Sequence, residues 1–116
     1  RMFAPVMNAH RVTVEQMAIL EPALAETTVL TCMVVIREAL DAAVAKGVPY
    51  EAARDFVLEH MGINVAILFG FLDAQVSDGA KMAVKRAMPQ IFQPDWKKVF
   101  EMENVIREVK AITGGE

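Results

Sequence analysis

Residues 23–46 read ALAETTVLTCMVVIREALDAAVAK, and this stretch decides the fold class. It contains no glycine or proline and is rich in alanine and leucine, which favour helices. Gly47 follows directly, and glycine is the residue on which helices most often end. We therefore predict one helix over residues 23–46, with a length of about 35 Å at about 1.5 Å per residue.

The middle of this predicted helix is apolar nearly all round. Residues 29–36 read VLTCMVVI, whereas a helix on a domain surface shows a single apolar stripe. We expect this segment to be central, covered on most sides by other helices or by a second chain. A β-strand through Val34, Val35 and Ile36 is the rival interpretation, and the length of the segment and its helix-forming flanks argue against it.

Capping and breaking residues predict a helix start before the long helix. Thr13 and Gln16 have the spacing of a capping box, in which each side chain accepts a hydrogen bond from the other residue's backbone N–H. Pro22 leaves three readings open: a short helix ends near Leu20, one long helix kinks at the proline, or the proline opens the long helix.

The rest of the chain carries further helix signals. They predict helices over residues 50–61 with an end at Gly62, over 63–72, from Ser77 or Asp78 to Pro89, and over 102–112, with a short helical turn from Pro94. The predicted fold is all-α, a bundle of five or six helices around one long central helix. We expect residues 1–116 to form a single helical domain.

Composition excludes several classes of protein. Hydrophobic residues make up 54% of the 116 residues and charged residues 23%, which excludes a disordered chain. The lone Cys32 excludes an internal disulfide framework, and two distant histidines predict no metal site. Cys32 is expected to be a small core residue of a reduced, cytoplasmic protein. The net charge of −3 disfavours a nucleic-acid surface, and no apolar stretch reaches the roughly 20 residues of a membrane span.

Five polar residues are candidates for catalysis or substrate binding. Glu21 and Glu26 stand near the start of the long helix, where they either complement the helix dipole or act as a general base. On a straight α-helix they lie about 140° apart, so they do not share one face. His60 is either a structural histidine or a proton-transfer group. Lys97 and Lys98 are either solvated or hold an acidic substrate.

The six glycines form no phosphate-binding loop. Neither Gly-x-Gly-x-x-Gly nor a Walker-type Gly-Lys-Ser/Thr is present, and no parallel strands are predicted. This chain alone is therefore not expected to bind a dinucleotide.

Three segments give the chain a resemblance to a known family. They read HRVTVEQMAILEPALAETT at residues 10–28, EALDAAVAKGVPYEAARDFVLEHM at 38–61 and SDGAKMAVKRAMPQIFQPDWKKVF at 77–100. Together they resemble the C-terminal domain of phosphogluconate-dehydrogenase-like oxidoreductases, a group that includes the D-apionate oxidoisomerase type. That group lies within the wider 6-phosphogluconate and β-hydroxyacid dehydrogenase superfamily, and the resemblance covers residues 10–112.

The resemblance implies the helical half of a two-domain enzyme. An N-terminal Rossmann domain, outside this chain, would bind NAD or NADP. The helical domain would close the substrate cleft and form a homodimer, and the substrates would be sugar acids or other hydroxy acids. No nucleic-acid or membrane partner is expected. A free-standing helical dimerisation or regulatory module without catalytic activity is the alternative.

One departure from the wider superfamily affects the site. The resemblance implies a catalytic lysine near the start of the long helix, with an asparagine a turn later. Pro22 stands at the lysine's position, and Ala25 or Glu26 at the asparagine's, so the lysine mechanism is not carried over. The acid/base candidates that remain are Glu21 or Glu26, with His60 in support.

Overall fold

A computed structural model describes residues 10–112, and every regular element in that range is helical. Five α-helices follow in chain order: α1 (Val14–Ala18), α2 (Thr31–Ala45), α3 (Tyr50–Leu68), α4 (Asp78–Ile91) and α5 (Met102–Ile112). A π-helical segment, Ile19–Leu30, joins α1 to α2, and a 3-10 helix spans Trp96–Phe100. The all-α fold class is confirmed.

The long helix begins earlier than predicted. α1, the π-helical segment and α2 form one continuous helix of 32 residues, Val14–Ala45. The predicted capping box is present, because Thr13 Oγ1 accepts from the Gln16 backbone at 3.0 Å and Gln16 Oε1 accepts from the Thr13 backbone at 2.9 Å. The predicted start at residue 23 is therefore wrong, since this cap fixes the first turn before Pro22.

Pro22 lies inside this helix without ending it. Proline lacks an N–H, and its ring crowds the preceding turn of an α-helix. Over Ile19–Leu30 the backbone takes the wider π-helical pattern, in which carbonyls pair with N–H groups five residues later. The Thr28 hydroxyl donates to the Ala23 carbonyl at 2.8 Å, across the same spacing. Of the three readings of Pro22, a continuous helix is the one observed.

The predicted helix end at Gly47 is confirmed. Gly47 has a φ of 107°, a conformation that only glycine adopts without strain. Its N–H donates to the Val44 carbonyl at 2.9 Å, and the Val48 N–H donates to the Ala43 carbonyl at 3.2 Å. This pair of bonds is a Schellman motif, which satisfies the last carbonyls of α2.

The predicted end of the next helix at Gly62 is wrong. α3 continues through Gly62 to Leu68, so the separate helix predicted over residues 63–72 is the final part of α3. Gly62 keeps a negative φ, whereas Gly70 has a φ of 81° and ends the helix. Glycine inside a helix costs only about 1 kcal/mol relative to alanine, and the surrounding helical residues outweigh that cost.

α4 begins as predicted and ends later than predicted. Ser77 Oγ accepts from the Ala80 backbone at 3.1 Å, which identifies Ser77 as the cap. The predicted stop at Pro89 is wrong, because the helix runs on to Ile91. Pro89 lies in the last turn, and Phe92 still donates to the Met88 carbonyl at 2.8 Å. The helical turn after Pro94 and the predicted last helix are both present.

The chain divides into two compact units. The first contains the residues up to Leu30 and those from Lys97 onward, and there α5 packs against α1 and the π-helical segment. Among the described residues of this unit, the buried hydrophobic ones are Val105 and Ala23. The second unit is Thr31–Trp96, in which α2 and α3 pack together.

The middle of the long helix is not covered by the described part of its own chain. Val29 and Leu30 in the first unit are 45% and 56% exposed, and Val34 and Val35 in the second unit are 49% and 46% exposed. Helices of the described part of the single chain therefore do not supply the whole of the expected cover. Among the described helices of the second unit only α3 packs beside α2, and Leu40 is the buried residue of α2. Coverage by a second chain is the remaining reading.

Two further expectations concern the same helix. Cys32 is partly buried rather than a core residue, because the described part of the chain leaves this segment open.

By length and composition, Val14–Ala45 is the one helix among residues 10–112 that is able to cross a membrane. This is a weak indication, since the core helix of a soluble protein passes the same test. The absence of a membrane span therefore stays a prediction.

Candidate functional site

Glu21 and Glu26 lie on the π-helical segment of the first unit, and both side chains are exposed. The expectation that they occupy different faces assumed α-helical geometry and is wrong. In a π-helix, residues five apart are joined by a backbone hydrogen bond and lie about one turn apart. The two carboxylates therefore share one face of the helix.

His60 lies on α3 in the second unit and is exposed. Its Nδ1 is 2.9 Å from the Phe56 carbonyl oxygen, and its ring centroid is 4.1 Å from that of Phe56. A carbonyl oxygen only accepts, so a hydrogen bond here requires the proton on Nδ1. Whenever the ring is neutral, Nε2 is then the acceptor, which is the form that a general base requires.

Lys97 and Lys98 belong to the 3-10 helix and to the first unit, and both are exposed. The turn is tied to α5, because Asn104 Nδ2 donates to the Lys98 carbonyl at 2.7 Å. The structure therefore places both lysines in the same unit as the two carboxylates. His60 belongs to the other unit.

A charged cluster that sequence reasoning missed joins α2 to α3. The guanidinium carbons of Arg37 and Arg54 lie 5.9 Å and 5.7 Å from the ring centroid of Tyr50. Each Nε also lies 3.2 Å from a carboxylate oxygen, Arg37 from Asp41 and Arg54 from Asp55. Both ion pairs lie within one helix, so the contact of Arg37 with the Tyr50 ring is the part of the cluster that joins α2 to α3. Only the i, i+4 spacing of Arg37 and Asp41 was visible in the sequence.

The described residues of both units line grooves. One groove, of about 480 Å³, lies between α2 and α3 and is lined almost entirely by apolar side chains: Ile36, Ala39, Leu40, Ala43, Val48, Ala52, Ala53, Phe56 and Val57. A second groove of about 300 Å³ lies beside Tyr50 on the same helix pair. A third, of about 330 Å³, lies between α1 and α5 in the first unit.

Two features of nucleotide and metal sites were looked for among residues 10–112, a glycine loop and a cluster of metal-ligating side chains. Gly47 and Gly70 end helices, and Gly62 and Gly79 lie within α3 and α4, so these glycines form no loop that cradles a pyrophosphate. Within residues 10–112 there is no group of three or more histidine, cysteine, aspartate or glutamate residues that is placed to hold a metal ion.

Comparisons with known proteins cover almost the whole chain. A profile described as phosphogluconate dehydrogenase (decarboxylating) C-term matches residues 1–113. D-apionate oxidoisomerase from Rhizobium rhizogenes strain K84 is 47% identical over 111 residues, which are 96% of this chain and 40% of that protein. D-apionate oxidoisomerase from Cupriavidus necator strain N-1 is 43% identical, over 96% of this chain and 40% of that protein.

A solved structure has the same fold. It is the crystal structure of a semialdehyde dehydrogenase NAD-binding protein from Cupriavidus necator in complex with calcium and NAD. The TM-score is 0.89 and the identity 43%, over 95% of this chain and 40% of that one. The present chain thus spans about two-fifths of the length of the relatives that it matches.

Proposed function

The chain belongs to the family of phosphogluconate dehydrogenase (decarboxylating) C-terminal domains, and from this premise we propose that it is the substrate-binding and dimerisation domain of an NAD(P)-dependent oxidoreductase. The substrates are sugar acids or other hydroxy acids, and D-apionate is the first to test. The observation that carries this proposal is the match of almost the whole chain to D-apionate oxidoisomerases at 43–47% identity. The nucleotide, NAD or NADP, is held by an N-terminal Rossmann domain of the complete protein.

The residues of this chain are suited to the substrate side of such a reaction. Oxidation of a hydroxyl requires a group that accepts its proton, and a carboxylate or an imidazole does this within hydrogen-bond reach. Glu21 and Glu26 share one face, so one carboxylate can accept the proton while the other accepts a hydrogen bond from a neighbouring hydroxyl. Lys97 and Lys98, in the same unit, supply positive charge for a substrate carboxylate. His60 is assigned a supporting role.

The complete protein is also proposed to be a homodimer. Large apolar side chains from Val29 to Val35 are more than 40% exposed in the single chain, and exposed apolar patches of this kind mark interaction sites. Sedimentation of the complete protein at micromolar concentration is expected to show a dimer. A stable monomer under those conditions would argue strongly against the proposed dimer.

The substrate proposal is tested by an assay of the complete protein. We expect the absorbance of reduced nicotinamide to increase when D-apionate or a related sugar acid is added with NAD or NADP. A matched set of neutral sugars without the carboxylate serves as the control and should react far more slowly. Equal rates with acids and neutral sugars would contradict the assigned substrate class. A coding region without a dinucleotide-binding domain before residue 1 would favour the free-standing module instead.

A further inference from the structure

The π-helical segment is longer than its proline requires. Pro22 has no N–H, so an α-helical pattern would leave the Ala18 carbonyl without its donor, and the proline ring would crowd that carbonyl. One wider turn removes both problems, and most π-helical segments in proteins are single turns. Here the π-helical pattern spans 12 residues and ends only at Leu30. A second feature must therefore favour the pattern beyond the first turn.

The Thr28 hydroxyl is such a feature. It donates to the carbonyl of Ala23 at 2.8 Å, five residues back along the chain. In an α-helix a threonine hydroxyl reaches the carbonyl three or four residues back, so a bond to the fifth carbonyl depends on the wider turn. A bond that forms in only one of two conformations shifts the equilibrium toward that conformation. The hydroxyl therefore stabilises the π-helical turn between residues 23 and 28.

This hydrogen bond lies in the packed part of the first unit. Ala23 is 3% exposed, and Thr28 is half-buried. α5 packs against the π-helical segment, and Val105 of α5 is 1% exposed. Away from water a hydrogen bond is stronger, and a polar group that loses its partner costs more free energy than at the surface. The bond is thus well placed to decide between the two helical patterns.

The turn that Thr28 closes overlaps the turn between the two candidate carboxylates. Glu21 and Glu26 are five residues apart, and residues 23–26 belong to both turns. With α-helical pairing over the shared residues, the carboxylates would move toward the separation of about 140° that a straight α-helix gives them. The π-helical pattern instead keeps them on one face, where a single substrate can meet both.

We propose that Thr28 is a positioning residue for the acid/base pair Glu21 and Glu26. Its hydroxyl holds the π-helical turn through the Ala23 carbonyl, so it acts on the reaction only through the placement of the two carboxylates. The proposal rests on the proposed function and adds to it an uncharged residue that the spacing of the sequence did not single out.

Substitutions at Thr28 in the complete protein test this role. Thr28→Val removes the hydroxyl and keeps the branched shape, and Thr28→Ala removes it without adding a methyl group. With the sugar acid that the wild-type protein oxidises, each should lower kcat at least about tenfold, because a misplaced catalytic group loses rate even when it is intact. Thr28→Ser keeps the donor and should restore kcat to near wild type.

Thr27→Val is the matched control and should leave kcat near wild type. Thr27 is the preceding residue of the same segment and is also half-buried. Its side chain makes no hydrogen bond with another described residue, so its loss leaves the bond from Thr28 to Ala23 in place. Equal losses in Thr27→Val and Thr28→Val would contradict the assignment to the Thr28 hydroxyl.

A double variant separates positioning from a general structural effect. Thr28→Val is combined with Glu21→Gln or Glu26→Gln, whichever lowers kcat when made alone. A positioning residue acts through that carboxylate, so the double variant should have the kcat of the glutamine variant. Losses that multiply would overturn the positioning role, and so would two glutamine variants that both keep the wild-type kcat.

A crystal structure of the Thr28→Val protein gives a readout that does not depend on activity. We expect the backbone between residues 23 and 28 to change to α-helical pairing. A π-helical turn that persists there without the hydroxyl, or a kcat near wild type in Thr28→Val, would overturn the positioning role and leave the proposed function intact. A wild-type protein that oxidises no sugar acid would instead overturn the proposed function, and the positioning role with it.

Discussion

Glu21 and Glu26 show how one backbone feature changes a site. The residue types are plain in the sequence, but their relation depends on the helix between them. Pro22 stands directly after Glu21, and the π-helical turn that accommodates it brings the two carboxylates onto one face. Sequence periodicity assumes α-helical geometry, so the candidate residues were predictable and their arrangement was not.

The acid/base assignment predicts a loss of turnover in the complete enzyme. Glu21→Gln or Glu26→Gln should lower kcat by about 100-fold or more at whichever residue accepts the proton, because glutamine cannot take up a proton near neutral pH. Glu15→Gln is a matched control, since Glu15 is an exposed carboxylate on the same long helix. Steady-state kinetics measure the effect. The assignment is wrong if Glu21→Gln, Glu26→Gln and His60→Asn each leave turnover near wild type.

Among the secondary-structure elements, the residues that cap helices predicted helix boundaries correctly. The helix-breaking residues Pro22 and Gly62 predicted boundaries that the structure does not have. Thr13, Ser77 and Gly47 mark helix boundaries because each satisfies backbone groups that a helix end leaves unpaired. Pro22 and Gly62 do not end their helices, because the stability of the neighbouring helical turns outweighs the free-energy cost of the proline or glycine. Residue type does not distinguish Gly62, inside the helix, from Gly70, which ends it. The backbone φ is what distinguishes the two glycines.

Gly62 inside α3 and Gly70 just after its end predict opposite effects on stability. Gly70→Ala should destabilise the protein by about 1–2 kcal/mol, because an L residue is strained at a φ of 81°. Gly62→Ala should stabilise it by about 0.5–1 kcal/mol through helix propensity. An added Cβ meets no atom within 4 Å at either site, so steric overlap contributes to neither value.

Chemical denaturation of the complete protein gives both free energies of unfolding. If the two variants are destabilised equally, Gly70 does not form the helix end that its φ indicates.

At the scale of the whole molecule, the fold class was predictable and the coverage of the long helix was not. The absence of glycine and proline from residues 23–46 is a local property, and it predicts helix correctly. What covers Val34 and Val35 depends on chain topology and on partners, which hydrophobicity alone does not specify. The exposed apolar residues of α4, such as Val84 and Ile91, have the same origin, since periodicity shows an apolar face without showing what packs on it.

The central claim is that this chain is the helical domain of a nicotinamide-dependent oxidoreductase. Calorimetric titration of the complete protein with NAD and with NADP tests it most directly. We expect saturable binding of one of the two nucleotides with one site per chain. A complete protein that binds neither nucleotide would contradict the claim.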